Sequence, residues 1–544
     1  MNLAQPLWPQ PLWSQPLDPF QSVALSALVA ALPLIIVLIL MGGLRKGGLV
    51  ASTCGLASAA LLALFVWRMP APLIAGSIAF GAVYAVWPIL WIVFAALWLY
   101  NLTQETGHFD LLRRWMQTHA SGNPCIQAIL VAFAFGALLE GTSGFGAPVA
   151  VTSFLLVGLG FNPRKAVIVA LIANTAPVAF GGLGIPIVAL AGVTGLPLSH
   201  LSAMVGRQVP LLSFVLPAYL VWVVGRGKGL KQTWPAALVA GASFALAQFL
   251  VSNFWGPYVA DVIAACASIA ILAIFLKFFP PARDDRDEQQ VATTPIETPL
   301  TTRQSVAAWF PWAMLSAVLL LWSWFNLLPR GQAVIPVPAL HNGVFITLYQ
   351  KAYAALYTFQ PLGAGTAALV ATILTALCFR VRPARFLQCG ASTLRQLRIP
   401  GLTVMAIVAL AYLYNYSGMA FTLGAAIAHA GPVFPLLSSY LGWIACFLSG
   451  SDTASNLLFG NLQVAAAHQL HISPLLLAAT NTSGAVAGKM ISPQNIAIGV
   501  TTVGLVGQEG KILRSTFWHS VLLTGLVGLL ALAQAYWLTA MIPS

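Results

Sequence analysis

The chain has 544 residues, of which 59% are hydrophobic and only 7% charged, with a formal net charge of +13. A soluble domain carries roughly 25% charged residues, so the composition excludes a water-exposed globular surface and indicates a polytopic membrane protein. The positive balance does not mark a nucleic-acid partner, because Lys and Arg fall in loops between apolar runs rather than on one amphipathic face.

Residues 1–20 hold no Lys or Arg, so the basic region of a cleavable signal is missing. QPLW at 5–8, QPLW at 10–13 and QPLD at 15–18 make this a Pro-rich external segment, expected to be extended and poorly packed. A first transmembrane half, 21–279, opens with spans near 21–42, 47–66 and 72–100, each long enough to cross the ~30 Å hydrocarbon core. An apolar region at 125–160 is interrupted by LLEGTSGFGAPVA, and one at 165–192 by NTAPVAFGGLG. Spans near 208–225, 233–252 and 257–279 complete this half. Residues 280–305 turn polar and read as a linker.

The second half, 306–544, begins with spans near 306–326, 361–379 and 399–417. A region at 432–467 is interrupted at SGSDTASN, another at 474–506 is interrupted at NTSGAVAGK, and a last span covers 516–541. The expected fold is all-α, with about 12 transmembrane helices plus two re-entrant hairpins at 125–160 and 432–467. Glycine content and short arms argue for re-entrance. The six cysteines show no paired metal spacing and read as small apolar fillers, and the pair His468 and His471 lacks further ligands, so no metal site is expected.

Two regularities organise these elements. With both hairpins re-entrant, 20 of the 25 basic residues fall on one side, which makes the linker cytoplasmic and both termini periplasmic. Second, the halves echo one another. YNLT at 100–103 matches YNYS at 414–417, and Glu140 in EGTSG matches Asp452 in DTASN. Asn174-Thr175 with Gly181 and Pro186 matches Asn481-Thr482 with Gly488 and Pro493 at identical spacing. An odd number of crossings separates the YN elements, so the halves are expected to be inverted repeats, a signature of secondary transporters.

Backbone that leaves the helix inside a membrane must face protein or a wet cavity, and helix N-termini there suit anions. Glu140, Asp452 and Lys489 read as the ionisable residues placed deep in apolar segments. Such residues are costly and are functional candidates. A carboxylate desolvated in such a pocket can carry a proton, which makes Glu140 and Asp452 proton-coupling candidates, with Asp452 slightly preferred. Lys489 would favour an anion, or form a fixed ion pair with Asp452 or Glu140. Arg207 in GRQVP reads as an interfacial arginine.

The runs FGALLEGTSGFGAPVAVT, NTAPVAFGGLGIPI, VGRQVP, SGSDTASNLLF, NTSGAVAGKMISPQNIAIG and VGLVGQEG resemble the bacterial L-lactate permease family over about 21–543. The Pro-rich N-terminus and 331–360 depart from that pattern. The resemblance implies an elevator-type proton symporter of L-lactate, D-lactate and glycolate in the inner membrane. It implies no cofactor and no enzyme activity; its partners are these hydroxy acids, protons and the lipid bilayer, and it permits a homodimer. The substrate carboxylate would meet Asn174, Thr175, Asn481 and Thr482, with Ser143, Ser451 and Thr453 supplying hydroxyls, Gly144 close backbone approach and Lys489 positive charge. Two alternatives are a sodium-coupled carboxylate carrier or cation/proton antiporter, disfavoured by Lys489, and a membrane enzyme, for which no catalytic pattern appears.

Overall fold

A computed structural model describes residues 13–40, 44, 46–119, 123–142, 147–279, 300–327, 329–347, 351–505 and 508–543. The chain is a mostly helical polytopic membrane protein, with five short strands as the exception to the all-α expectation. Among the described residues, nine helices are long and apolar enough to cross a membrane, or up to ten if a bent pair counts as one span.

In the first half, α1 (Val23–Leu38) and α2 (Gly48–Phe65) fall where the apolar runs place them. The run at 72–100 is not one straight span. It divides into α3 (Ala71–Tyr84) and α4 (Trp91–Glu105) around Trp87, whose φ of −135° and ψ of 116° are extended. The cause is Pro88, because proline forces the residue before it out of helical geometry. After α5 (His108–His119), α6 (Pro124–Thr142) and α7 (Ala147–Gly158) pack against each other as a hairpin. Residues 143–146, including the candidates Ser143 and Gly144, lie outside the described residues. The incoming arm is not short. Its 19 residues span about 28 Å at 1.5 Å per residue, nearly the ~30 Å of hydrocarbon core.

α8 (Pro163–Ala173) and α9 (Gly181–Thr194) form the first broken helix, bent by 64°. α10 (Leu198–Val205) follows. The two spans expected at 208–225 and 233–252 are both present in α11 (Val209–Phe254), as two helices that meet at a kink at Arg226 (φ 54°, ψ −157°) and pack against each other, a Cβ on Gly241 falling 2.2 Å from the Phe214 carbonyl oxygen. Six of the seven residues at 226–232 are polar or glycine, and the kink falls at the first of them. α12 (Ala260–Phe278) closes this half.

The second half runs through α13 (Thr302–Trp324), α14 (Ala364–Cys378), α15 (Pro383–Gln396), α16 (Arg398–Ser417) and α17 (Met419–Ile427). The second hairpin is α18 (Phe434–Ser449) and α19 (Asp452–Gln469). In the second broken helix, α20 (Pro474–Gly488) stays helical straight through Asn481-Thr482. The interruption comes at Lys489–Ser492, before α21 (Pro493–Thr502) and α22 (Glu509–Tyr536). Pro493 sets that point, since it suits the first turn of a helix and not its interior.

Hairpin and broken helix of this half meet through small residues. A Cβ on Gly484 would overlap the Ser439 carbonyl oxygen, and one on Gly488 would sit 2.5 Å from that of Trp443. Lipid offers no hydrophobic drive between helices, so close backbone approach supplies the packing.

Of the Pro-rich segment, residues 1–12 lie outside the described residues, and the part from Trp13 on corrects the expectation of poor packing. β1 (Trp13–Ser14) pairs in parallel with β3 (Val344–Ile346), which pairs antiparallel with β4 (Lys351–Ala352); β2 (Ala333–Pro336) pairs with β5 (Leu356–Phe359). The two stretches outside the family resemblance therefore share the three-stranded β1–β3–β4 sheet, while β2 and β5 form a separate two-stranded one. Gln15, 1% exposed, donates from Nε2 to the carbonyls of Asn415 and Tyr416, both at 2.9 Å. A helix C-terminus leaves carbonyls without partners, and α16 ends here at Gly418 (φ 90°). Gln15 is the cap for the YNYS element. Gln15→Ala should lower the melting temperature of the purified protein, at a cost of about 1–3 kcal/mol for the orphaned carbonyls. An unchanged melting temperature would mean that this seat contributes nothing.

Candidate functional site

Four interruptions supply the site: the end of α6, the α8–α9 break, the tip between α18 and α19, and the α20–α21 break. Glu140, near the end of α6, is 3% exposed, and its carboxylate is fully engaged. Oε1 lies 2.5 Å from Lys489 Nζ, and Oε2 accepts from Asn174 Nδ2 at 3.0 Å. Isolated burial of either charge would cost far more than folding can supply, so the pair exists only because each offsets the other. Gly181 makes room for it, because a Cβ there would lie 2.8 Å from Glu140 Oε1. Residues 182–184 then run left-handed, with φ of 53°, 60° and 73°. Two of these three are glycines, which tolerate that conformation; the third is Leu183.

The second half forms a corresponding contact with different chemistry. Asn481 Nδ2 and Thr482 Oγ1 both donate to Asn456 Oδ1 at 2.9 Å. In each half, then, the asparagine of the NT pair bonds a residue of its own hairpin: Asn174 to Glu140, Asn481 to Asn456. Each hairpin residue also crosses to the other half. Glu140 reaches Lys489, and Asn456 Nδ2 donates to the Pro186 carbonyl at 3.0 Å. The crossing is reciprocal. Asn456 stands in SGSDTASN, one helical turn beyond Asp452, and sequence reasoning passed over it because it carries no charge.

Asp452 behaves differently. It opens α19 behind Ser451, whose Oγ accepts from the Ala454 N–H at 3.3 Å and so caps the helix. Gly450, at φ 71°, turns the chain between the arms, and its carbonyl accepts from Asn495 Nδ2 at 3.1 Å. Asp452 is 3% exposed, and neither carboxylate oxygen has a hydrogen-bond partner among the described residues. The charges of Lys489 and Glu140 both act on it. Three neighbouring polar atoms are likewise buried and unpartnered among the described residues: Asn174 Oδ1, Thr175 Oγ1 and Ser483 Oγ. Since buried polar atoms are almost always satisfied, Asn174 and Thr175 at the first break and Ser483 inside α20 mark capacity for a polar ligand. Thr453 is half-buried. Ser451 spends its oxygen on the helix cap.

A third acid was missed. Asp261, 1% exposed in the first turn of α12, accepts from Gln248 Nε2 at 2.8 Å through Oδ1, while Oδ2 has no partner among the described residues. Gln248 also donates to the Ala176 carbonyl in the first break at 3.3 Å and accepts from Ser213 Oγ at 3.0 Å. A Cβ on Gly141 would come within 3.0 Å of the Asp261 Cβ. Only Glu140, Asp452 and Lys489 read from the sequence as deep ionisable residues, which left Asp261 out. The available signal was its context: with Glu140 and Asp452, it is an acid flanked on both sides by apolar sequence. Arg207 ties chain ends together, donating to Asn253 Oδ1 and the Met541 carbonyl, both at 2.9 Å.

Comparison with known proteins places this geometry. The family model described as L-lactate permease matches residues 26–538. The chain is 42% identical to the L-lactate permease of Salmonella typhimurium over 99% of its own length and 100% of the relative's. It is 41% identical to the glycolate permease GlcA of Escherichia coli, covering 97% of this chain and 98% of that one. Among solved structures, MtrF of Neisseria gonorrhoeae aligns at 14% identity and a TM-score of 0.48, covering 87% of this chain and 86% of that chain; at that level the likeness carries no argument.

The paired charges generate a prediction. Lys489→Ala strands Glu140 as a buried, uncompensated charge and should cost about 3–5 kcal/mol. Adding Glu140→Gln should recover much of that loss. Thermal unfolding of purified single and double variants measures the coupling; simple additivity would refute the pair's structural role.

Proposed function

The chain belongs to the L-lactate permease family, and from that premise we propose that it takes up small 2-hydroxymonocarboxylates by proton symport. L-lactate, D-lactate and glycolate are the expected substrates. The protein is a membrane transporter and not an enzyme. The relatives' printed names, one a lactate and one a glycolate permease, support the substrate class. We place it in the bacterial inner membrane, with the linker at 280–305 cytoplasmic and both termini periplasmic, since this sidedness gathers 20 of 25 basic residues inside. We read the two halves as inverted repeats, which the reciprocal Glu140–Lys489 and Asn456–Pro186 contacts support, and propose that their re-entrant hairpins move together in an elevator-like way.

One observation carries the coupling: Asp452 is a buried carboxylate without a donor, beside a Glu140–Lys489 pair that already balances itself. Glu140, Asp452 and Asp261 set three acids against one lysine, so the unprotonated site is net negative and repels an anion. Two like charges 4 Å apart at an effective dielectric of 20 repel by about 4 kcal/mol, on the order of a thousandfold in affinity. A proton on Asp452 lowers the net charge of these four groups from −2 to −1 and weakens that repulsion, so anion and proton enter together. The substrate carboxylate then competes with Glu140 for Lys489 and takes hydroxyl donors from Thr175 and Ser483, while Asn174, Asn481 and Thr482 hold the breaks in register. Ser143 and Gly144 belong to the same proposed pocket by their place in the first hairpin turn, and Thr453 by its place beside Asp452.

Proteoliposome uptake of radiolabelled L-lactate, D-lactate and glycolate under an imposed pH gradient, without sodium, tests the reading. Failure of all three substrates would sink the substrate assignment, and a strict sodium requirement would replace proton coupling. Asp452→Asn should abolish gradient-driven accumulation while leaving counterflow exchange. Normal accumulation in that variant would remove Asp452 from the mechanism.

A further inference from the structure

Away from the transport site, a cleft of about 630 Å³ opens where the turn between α4 and α5 meets the turn between α14 and α15. Its polar lining is Thr106, His108, Arg380, Arg382, Arg385 and Gln388. Three guanidinium groups thus face one concavity from six consecutive residues. Among the described residues no acid forms a salt bridge with any of the three. Arg385 donates to the backbone carbonyl of Glu105, and the Glu105 carboxylate is turned to Cys389. Even counting Glu105, the cleft is net positive. His108 adds no charge near neutral pH, since burial lowers its pKa below the ordinary value. Its ring lies flat on Phe379, with centroids 3.6 Å apart, and forms one wall.

The surroundings identify the kind of anion. Leu377 at the end of α14 and Leu387 and Leu394 on α15 are 67%, 65% and 63% exposed. Leu387 and Leu394 are seven residues apart and share one helical face, while Cys389, Gly390 and Thr393 are buried. A short helix with an outward apolar face and flanking arginines suits the boundary between headgroups and acyl chains. Arginine forks match phosphate oxygens in geometry as well as charge, and basic pockets between membrane helices bind anionic headgroups.

We propose that this cleft is a binding site for the phosphate headgroup of an anionic phospholipid. Arg380, Arg382 and Arg385 hold the phosphate, and Leu377 and Leu387 contact the acyl chains. Because the cleft is built from residues 106–108 of the first half and 379–388 of the second, the lipid bridges the halves. The assignment is independent of the transport chemistry.

Native mass spectrometry of the purified full-length protein, titrated separately with phosphatidylglycerol, phosphatidylcholine and inorganic phosphate, tests it. Phosphatidylglycerol should be retained in preference to phosphatidylcholine. The double variant Arg380→Gln/Arg382→Gln should bind it about 30-fold more weakly, whereas Arg330→Gln, distant in the fold, should bind normally. Should the double variant misfold, as judged by gel filtration, Arg382→Gln alone should weaken binding about fivefold. Equal retention of the two lipids, or undiminished binding in the variants, would overturn the site. Inorganic phosphate bound as tightly as phosphatidylglycerol would make it a free-anion site and overturn the lipid assignment.

Discussion

The contact between Lys489 and Glu140 joins the last third of the chain to the first hairpin, and both ends are buried. Neither charge could stay in that interior alone. Everything near them is arranged to keep them together. Asn174 donates to the second carboxylate oxygen, and Gly181 gives up its side chain so that the carboxylate fits. The neutral counterpart, Asn456 on the Pro186 carbonyl, repeats the crossing in the opposite sense. These two crossings join further buried polar bonds between the halves, among them Gln208 Nε2 to Thr480 Oγ1 and Asn415 Nδ2 to the Val193 carbonyl.

Such an interior is possible because its helices approach closely elsewhere. Glycines on α20 bring it against α18 at backbone distance, so the second hairpin and broken helix move or stay as a packed unit. The hairpin tip at Gly450–Asp452 is held by backbone and serine bonds, among them the Ser451 cap, Ser451 N–H to Ser449 Oγ and the link from Asn495 to the Gly450 carbonyl. Asp452 sits on that tip with no donor among the described residues. The contrast between an acid fully engaged and one left open gives the two carboxylates different chemical parts. Asp261 adds a support of another kind, fixing Gln248 and through it the Ala176 carbonyl of the first break.

Much of this was legible in the residues. Long apolar runs located nearly all the helices, and Gly, Pro and Asn clusters located the breaks, since these residues interrupt helices for known steric reasons. The failures are instructive. Asn481-Thr482 looked like a break by analogy with Asn174-Thr175, yet α20 runs through it and stops only at Lys489. An asparagine can serve as helix interior when its side chain finds a partner, here Asn456. The N-terminal repeat looked unpacked because proline-rich sequence has no periodicity to read, whereas its strand pairs with residues 344–345, far along the chain.

The amino-acid sequence by itself determined the membrane class, the order of helices, the positions where helices are interrupted, and the scarcity of buried charge. These are local properties, set by apolar run length and by backbone preferences of single residues. Only the tertiary structure decided who pairs with whom: that Lys489 chooses Glu140 rather than Asp452, that Asn456 completes the crossing, that Asp261 is buried, and that Gln15 caps a helix 400 residues away. The reason is physical. A desolvated polar group must find its partner wherever the fold brings one within about 3 Å, and no pattern along the chain encodes that distance.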